Sequence, residues 1–379
     1  MSLILALAAC GGPPEEPAEP PHGYVAGASE ASEAQSALAY TARDSRQLHL
    51  LDLATEQEKQ VGLTIGAREL TEDGRFVYVT DGDRTLEIVD AGVWTVDHTD
   101  HVHYYRAPER TLGTVTFDQP VATVAGFGAH TAVGTTDGRI RVLDRRQLEE
   151  GRISEVSTID SGSTTALAVP YAEMLLVAVG DDRDKPANRI VAMGPDGKPN
   201  GALETPCAAP RGWVALRGGT VIACEDALVR IKQTDGGLTA QRLDAPGTVA
   251  DTGFGFRPRS NEAAVAGKDT VWSVNAAKVT LKHLTVKDRE LVTAASPADA
   301  ATVLALDSAG TLASYDLESG RMLAEKPLKA TTLTLDISRA YLAEPPARVI
   351  HEIDYADKLR TARTLRATEQ PDLVVEVGR

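Results

Sequence analysis

Three histidines lie within six residues of the sequence and are flanked by carboxylates. His98, His101 and His103 share this segment with Asp97 and Asp100. If the chain is extended from His101 to His103, these two side chains point to one face. Their nitrogens can then converge on one ion at the roughly 2.0–2.1 Å that zinc requires. The segment predicts a zinc site with His98, His101, His103 and Asp100 as ligands, and copper or nickel are the alternative ions for such donors.

The same histidines have two plainer interpretations, a solvated surface loop and a pH-sensitive contact. The carboxylate of Asp97 or Asp100 can also act without binding the metal itself, by accepting a hydrogen bond that fixes the tautomer of a ligating histidine. His49, His283 and His351 lie on predicted alternating strands, where we expect them to face outward.

The cysteines fall into two contexts. Cys207 and Cys224 are 17 positions apart, and no C-x-x-C pair is present, which excludes zinc ribbons and thioredoxin-like redox chemistry. In an exported protein the pair predicts a disulfide that ties a loop to a strand. The alternative is a thiolate that binds metal or acts as a nucleophile.

Cys10 belongs to the other context, because it follows the apolar run Leu3–Ala9. Leu7–Cys10 resembles the lipobox of bacterial lipoproteins, whose cysteine is lipidated after cleavage. We therefore interpret residues 1–10 as a lipoprotein-like signal remnant and 11–35 as a tether rich in Pro, Glu and Ala. These features predict an extracytoplasmic protein, periplasmic or at the cell surface, that meets the membrane only through a lipid on Cys10. The alternative is an apolar N terminus without such a role.

A repeated strand–turn–strand pattern in the sequence predicts the scaffold that carries the histidines and cysteines. From about residue 37 the sequence returns eight times to a short apolar strand, a polar or glycine-containing turn and an alternating strand, which often ends in Asp. The second strands, counted from Leu48, Leu86, Ile140, Ile190, Leu228, Val271, Leu312 and Ile350, lie 38 to 54 residues apart. This interval matches one four-stranded propeller blade. Residues 36–379 thus predict one all-β domain, an eight-bladed β-propeller, with seven blades as the nearest alternative. Asp372–Val377 is the predicted strand that closes the ring.

The net charge of the chain and the absence of known enzyme motifs limit the classes of function that the sequence predicts. The chain has 39 basic and 54 acidic residues and a net charge of −15, which argues against nucleic acid as a partner. It contains no G-x-S-x-G, phosphate-binding or H-E-x-x-H motif. We expect a monomeric binding protein and not an enzyme.

The run Leu86–Trp94, followed at once by the histidine segment through Tyr105, resembles the AztD family of secreted zinc metallochaperones. The spacing from Cys207 to Cys224-Glu225-Asp226 is similar to the cysteine pair of that family. The resemblance implies a periplasmic propeller that binds Zn²⁺ and passes it to the solute-binding protein of an ABC importer.

This sequence departs from the AztD pattern at two places. Residues 162–165 and 210–212 contain no histidine where the family has further ones. The resemblance therefore extends only to His98, His101 and His103 as metal ligands. The alternative function is a β-propeller lipoprotein without metal, acting as a protein-interaction or cell-envelope binding module.

Overall fold

The structure is a computed structural model that describes residue 25, residues 27–245 and residues 253–379. Cys10, the signal-like segment and most of the predicted tether lie outside the described residues. Strands dominate the described part, with one short helix, α1 (Arg145–Glu149), and one 3-10 turn, Pro345–Ala347. None of the helices in this part is long and apolar enough to cross a membrane.

The strands are numbered along the chain. The first ten are β1 (Ser29–Ala31), β2 (Ala37–Thr41), β3 (Gln47–Asp52), β4 (Glu58–Gly62), β5 (Glu69–Glu72), β6 (Phe76–Thr80), β7 (Thr85–Asp90), β8 (Val93–Asp97), β9 (Val102–Arg106) and β10 (Arg110–Thr116). The next twelve are β11 (Val121–Phe127), β12 (His130–Thr135), β13 (Arg139–Asp144), β14 (Glu155–Asp160), β15 (Ala168–Tyr171), β16 (Met174–Val179), β17 (Arg189–Met193), β18 (Pro199–Pro206), β19 (Gly212–Leu216), β20 (Gly219–Ala223), β21 (Ala227–Thr234) and β22 (Gly237–Asp244). The last thirteen are β23 (Phe254–Phe256), β24 (Glu262–Ala266), β25 (Thr270–Asn275), β26 (Thr280–Thr285), β27 (Leu291–Ser296), β28 (Thr302–Asp307), β29 (Thr311–Asp316), β30 (Met322–Pro327), β31 (Thr334–Leu335), β32 (Ala340–Glu344), β33 (Val349–Asp354), β34 (Arg360–Arg366) and β35 (Leu373–Val377).

Most strands belong to four-stranded antiparallel units that follow one another along the chain. Six units are separate sheets, formed by β35 with β2–β4, by β5–β7 with β10, by β11–β14, by β15–β18, by β19–β22 and by β31–β34. The units β23–β26 and β27–β30 join into one sheet through parallel pairing of β23 with β27. The prediction of an all-β propeller is confirmed.

Apolar side chains between neighbouring units hold the ring together. Each interior cluster of the described residues joins two consecutive units, because a unit that is buried on both faces needs a neighbour on each side. In one cluster Tyr40 of the first unit packs with Tyr341 of the last. β35 pairs antiparallel with β2, with Val375 opposite Ala39. The predicted closing strand is therefore confirmed, and both termini complete the same unit.

A small sheet lies apart from these units. β8 and β9 form a hairpin between β7 and β10, and β1 pairs with β9 to give the strand order β1-β9-β8. We call β8, β9 and their connecting turn the histidine hairpin. Part of the predicted tether, residues 11–35, is therefore a strand, because Ser29–Ala31 form β1.

Candidate metal centre

The base of the histidine hairpin is fixed where the chain leaves and re-enters the second unit. Gly92 has a φ of 71°, and a Cβ added there would lie 2.3 Å from the carbonyl oxygen of Ala107, so only glycine fits. The amide of Ala107 donates to the carbonyl of Gly92 at 2.7 Å. Above this point Trp94 stacks on Tyr105 with ring centroids 5.4 Å apart, and the Arg75 guanidinium lies 3.8 Å from the Trp94 ring centroid. These contacts give the hairpin a rigid base.

The carboxylate of Asp97 holds the tip of the hairpin in place through two hydrogen bonds. Asp97 Oδ1 accepts a hydrogen bond from the Thr99 amide at 2.8 Å, which shapes the turn, and Thr99 has a φ of 79°. Asp97 Oδ2 accepts from Arg217 Nη2 at 2.7 Å. Burial alone would raise the pKa of the Asp97 carboxyl, but the Arg217 guanidinium and the Thr99 amide hold this pKa below its usual value. The turn that contains His98 and His101 is thus anchored from outside the hairpin.

The three predicted histidines come together at this turn. The ring centroids of His98 and His101 are 4.8 Å apart, those of His98 and His103 are 5.4 Å apart, and those of His101 and His103 are 5.0 Å apart. One nitrogen from each ring lies within 4.8 Å of the other two. Tetrahedral zinc places its nitrogen ligands about 3.3–3.4 Å apart, so these nitrogens must approach one another by no more than about 1.5 Å to share one ion.

Two carboxylates select the ring nitrogens that remain for a metal. Asp100 Oδ1 lies 2.8 Å from His101 Nδ1, and Glu30 Oε1 lies 2.7 Å from His103 Nδ1. Because a carboxylate only accepts, both Nδ1 atoms carry hydrogen and the Nε2 lone pairs are available for a metal. The hydrogen bond from His101 lowers the pKa of Asp100. Asp100 therefore supports His101 in the structure, and its predicted role as a direct ligand stays a prediction.

Sequence reasoning missed two residues of this centre. Glu30 is 73 positions from His103, and Arg217 is 120 positions from Asp97. Neither residue belongs to a local motif, so only the three-dimensional pairing of β1 with β9 and the packing of the hairpin tip reveal them.

The structure also shows the predicted cysteine pair and the histidine of β26. Cys207 and Cys224 are bonded, with an S–S distance of 2.03 Å, and both are fully buried. The predicted disulfide is therefore confirmed, and the alternative of free thiolates is wrong. His283 is exposed as expected.

His49 differs from expectation. It is only 3% exposed, stacks on Tyr40, and lies 2.8 Å from Glu58 and 3.3 Å from Glu369. The prediction that it faces outward is wrong, because paired carboxylates and an aromatic ring make a buried site for an imidazole.

Comparisons with known proteins bear on the fold. No protein-family model matches the sequence, and none of the curated proteins matches it. Two structures of AztD from Citrobacter koseri, one of them the apo form, superpose with TM-scores of 0.74 and 0.75 at 15% identity, covering 91% of this chain and 98% of theirs. Dihydro-heme d1 dehydrogenase NirN in complex with DHE superposes with a TM-score of 0.59 at 14% identity, covering 97% of this chain and 83% of that one. The expected likeness to AztD is confirmed at the level of the fold.

Proposed function

We propose that this chain is an extracytoplasmic propeller that captures zinc on its histidine hairpin and hands it to the solute-binding protein of an ABC importer. The observation that supports the proposal most is the convergence of three imidazole nitrogens within 4.8 Å of one another. Two of the three rings are also held in the tautomer that leaves Nε2 to the metal.

The donor set suits capture and release better than permanent storage. Neutral imidazole prefers zinc or copper to magnesium or calcium, and three ligands leave a fourth coordination position for water or for a ligand of the partner. His101 is 57% exposed, so a second protein can reach the ion. An acceptor with a more complete ligand set then removes the zinc by ligand exchange. Protons compete for the same nitrogens, so zinc binding weakens as the pH falls.

Two further features support the proposed compartment and the proposed partner. A buried disulfide fits an oxidising compartment outside the cytoplasm. The fold shared with AztD supports the same class of partner that the sequence resemblance implies. The proposal includes lipidation of Cys10 and a monomeric state, and it assigns the chain binding and transfer but no catalysis.

Competitive zinc titration of the purified chain tests the proposal. We expect one zinc per chain in the wild type and loss of that zinc in the triple variant His98→Ala, His101→Ala, His103→Ala. His283→Ala is the matched control, because it removes one exposed histidine elsewhere and is expected to leave binding unchanged. Equal zinc binding by the triple variant and the wild type would exclude the hairpin as the site.

A second candidate function is the metal-free envelope-binding module. It is favoured by residues 162–165 and 210–212, which contain no histidine where the AztD pattern has them. If the wild-type protein takes up no zinc at micromolar concentration near neutral pH, this second function replaces the first.

A further inference from the structure

A cavity of about 320 Å³ lies beside the histidine hairpin. Thr95 of β8 lines it, together with Glu376 of β35 and the segment that precedes β32. The hydroxyl of Thr95 donates to the carbonyl of Gly378 at 2.7 Å, which joins the hairpin to the C-terminal wall of the cavity. The hairpin and the C-terminal strand that bound this open cavity are therefore fixed to one another.

Most of the cationic side chains that line the cavity already have carboxylate partners. Arg363 contacts Glu352 at 2.6 Å, and Arg339 contacts the same carboxylate at 3.3 Å. Arg379 is paired with Glu72. Arg339 also pairs with Asp354, and Arg363 also pairs with Glu56, so these cations are neutralised within the protein.

Arg259 is different. It lines the same cavity, it forms no ion pair with any residue of the described ranges, and its buried Nη1 atom has no hydrogen-bond partner among them. A buried donor without a partner costs free energy, and a bound water or ion is one of the ways in which folded proteins satisfy such an atom. Arg259 acts electrostatically on Asp97, but that carboxylate is already paired with Arg217. The wall of the cavity thus holds one positive charge without a carboxylate partner of its own.

Glu376 is the second unpartnered group. It is 1% exposed, and neither carboxyl oxygen has a hydrogen-bond partner within the described part of the chain. Burial, helped by Asp336 and Glu72, raises the pKa of this carboxyl to about 8, while Arg379 and Ser36 oppose the shift. At neutral pH the carboxyl keeps its proton and can donate it in a hydrogen bond.

We propose that this cavity binds a small monocarboxylate, with its charge on Arg259 and one oxygen accepting a hydrogen bond from Glu376. A planar carboxylate matches the guanidinium fork of Arg259, which is the one lining cation without an ion pair to any residue of the described ranges. Asp336 also lines the cavity, and its carboxylate is already engaged by the Tyr341 hydroxyl and by the amides of Ser338 and Arg339. Leu53, Pro258 and Ile337 also line the cavity and offer apolar contact to a short alkyl chain. A second zinc ion does not fit here, because the lining residues include neither histidine nor cysteine and the unpaired Arg259 would repel it.

Calorimetric titration of the full chain with butyrate tests this site. At pH 7 the wild type is expected to bind butyrate, and Arg259→Gln is expected to weaken binding at least tenfold. Arg259→Lys keeps the positive charge but loses the two parallel donors of the guanidinium, so it should bind butyrate with intermediate affinity. Arg242→Gln is the control, since it removes a cation from the outer strand β22, where Arg242 pairs with Asp226 and Asp244.

The Glu376→Gln variant separates the role of the carboxyl proton from that of charge. Its amide still donates a hydrogen bond, so it should bind butyrate at pH 7 and at pH 9, whereas the wild type should weaken severalfold at pH 9. Binding of butylammonium in place of butyrate, equal binding of sulfate, or unchanged affinity in Arg259→Gln would each overturn the proposal. The butylammonium and sulfate comparisons use wild-type protein, so they hold even if a variant fails to fold.

Discussion

Asp97 and Arg217 lie 120 residues apart in the sequence, and their side chains are 2.7 Å apart in the structure. Asp97 ends β8, and Arg217 lies in the turn between β19 and β20 of another unit. The base of the hairpin, by contrast, is fixed at Gly92 next to the second unit. This ion pair therefore holds the histidine turn from the opposite end of the hairpin.

Arg217→Ala should weaken zinc binding without unfolding the protein. The pair is partly exposed, so its loss is expected to cost about 1 kcal/mol or less, which corresponds to at most about a fivefold loss of zinc affinity. Arg242→Ala is the matched control in the same unit, and competitive titration measures both variants. An unchanged zinc affinity in Arg217→Ala would show that the tip needs no anchor.

Glu30→Ala should reduce zinc affinity more strongly, by about 10- to 100-fold, because His103 loses the carboxylate that orients its ring. Glu30→Gln keeps an accepting oxygen and should retain part of the affinity. The same titration, with thermal unfolding as a check on the fold, distinguishes the two variants. If both variants bind zinc as tightly as the wild type, Glu30 does not position His103.

Local patterns in the sequence predict most of this architecture. Strands such as Leu86–Asp90 are visible because apolar and polar residues alternate along them. The closing segment Asp372–Val377 is visible from its composition, which is rich in valine and follows a proline. The convergence of His101 and His103 follows from the same period. These features need only neighbouring residues and can be found without coordinates.

Contacts between distant segments could not be predicted in the same way. Ser29–Ala31 has no β-branched or aromatic residue and becomes a strand only by pairing with β9. The burial of His49 depends on Glu369, which lies 320 positions away. A single sequence contains no signal for such pairs, yet the pairing of β1 with β9 is the contact that brings Glu30 to His103.

Removal of the disulfide should affect stability and leave the metal site intact. Replacement of Cys207 and Cys224 by serine opens a loop with a sequence separation of 17, which predicts a loss of about 3 kcal/mol in the free energy of unfolding. Denaturant unfolding measures this loss, and zinc titration of the folded variant should give the wild-type affinity. A loss of zinc binding in a folded variant would place the cysteines in the metal site.

The buried carboxyl of Glu376 should make stability depend on pH. Its pKa is about 8 in the folded chain, above the ordinary value of 4.5, so the folded state binds more protons than the unfolded state between these values. This group therefore costs stability as the pH rises from about 4.5 to about 8, by roughly 1.4 kcal/mol per pH unit.

Glu376→Gln replaces the titrating carboxyl by an amide that does not titrate. The stability of the variant relative to the wild type should therefore increase as the pH rises over the same range. Denaturant unfolding at several pH values, in buffers without carboxylates, measures the difference. A difference that stays constant from pH 5 to pH 8 would contradict a protonated Glu376.

X-ray absorption at the zinc edge, recorded on the chain loaded with one equivalent of Zn²⁺, tests most directly whether three histidines hold the metal. We predict three imidazole nitrogens at about 2.0–2.1 Å and one oxygen donor, and the loss of this imidazole pattern in the triple histidine variant. A spectrum of oxygen ligands alone, or an unchanged imidazole pattern in that variant, would contradict zinc capture by the hairpin.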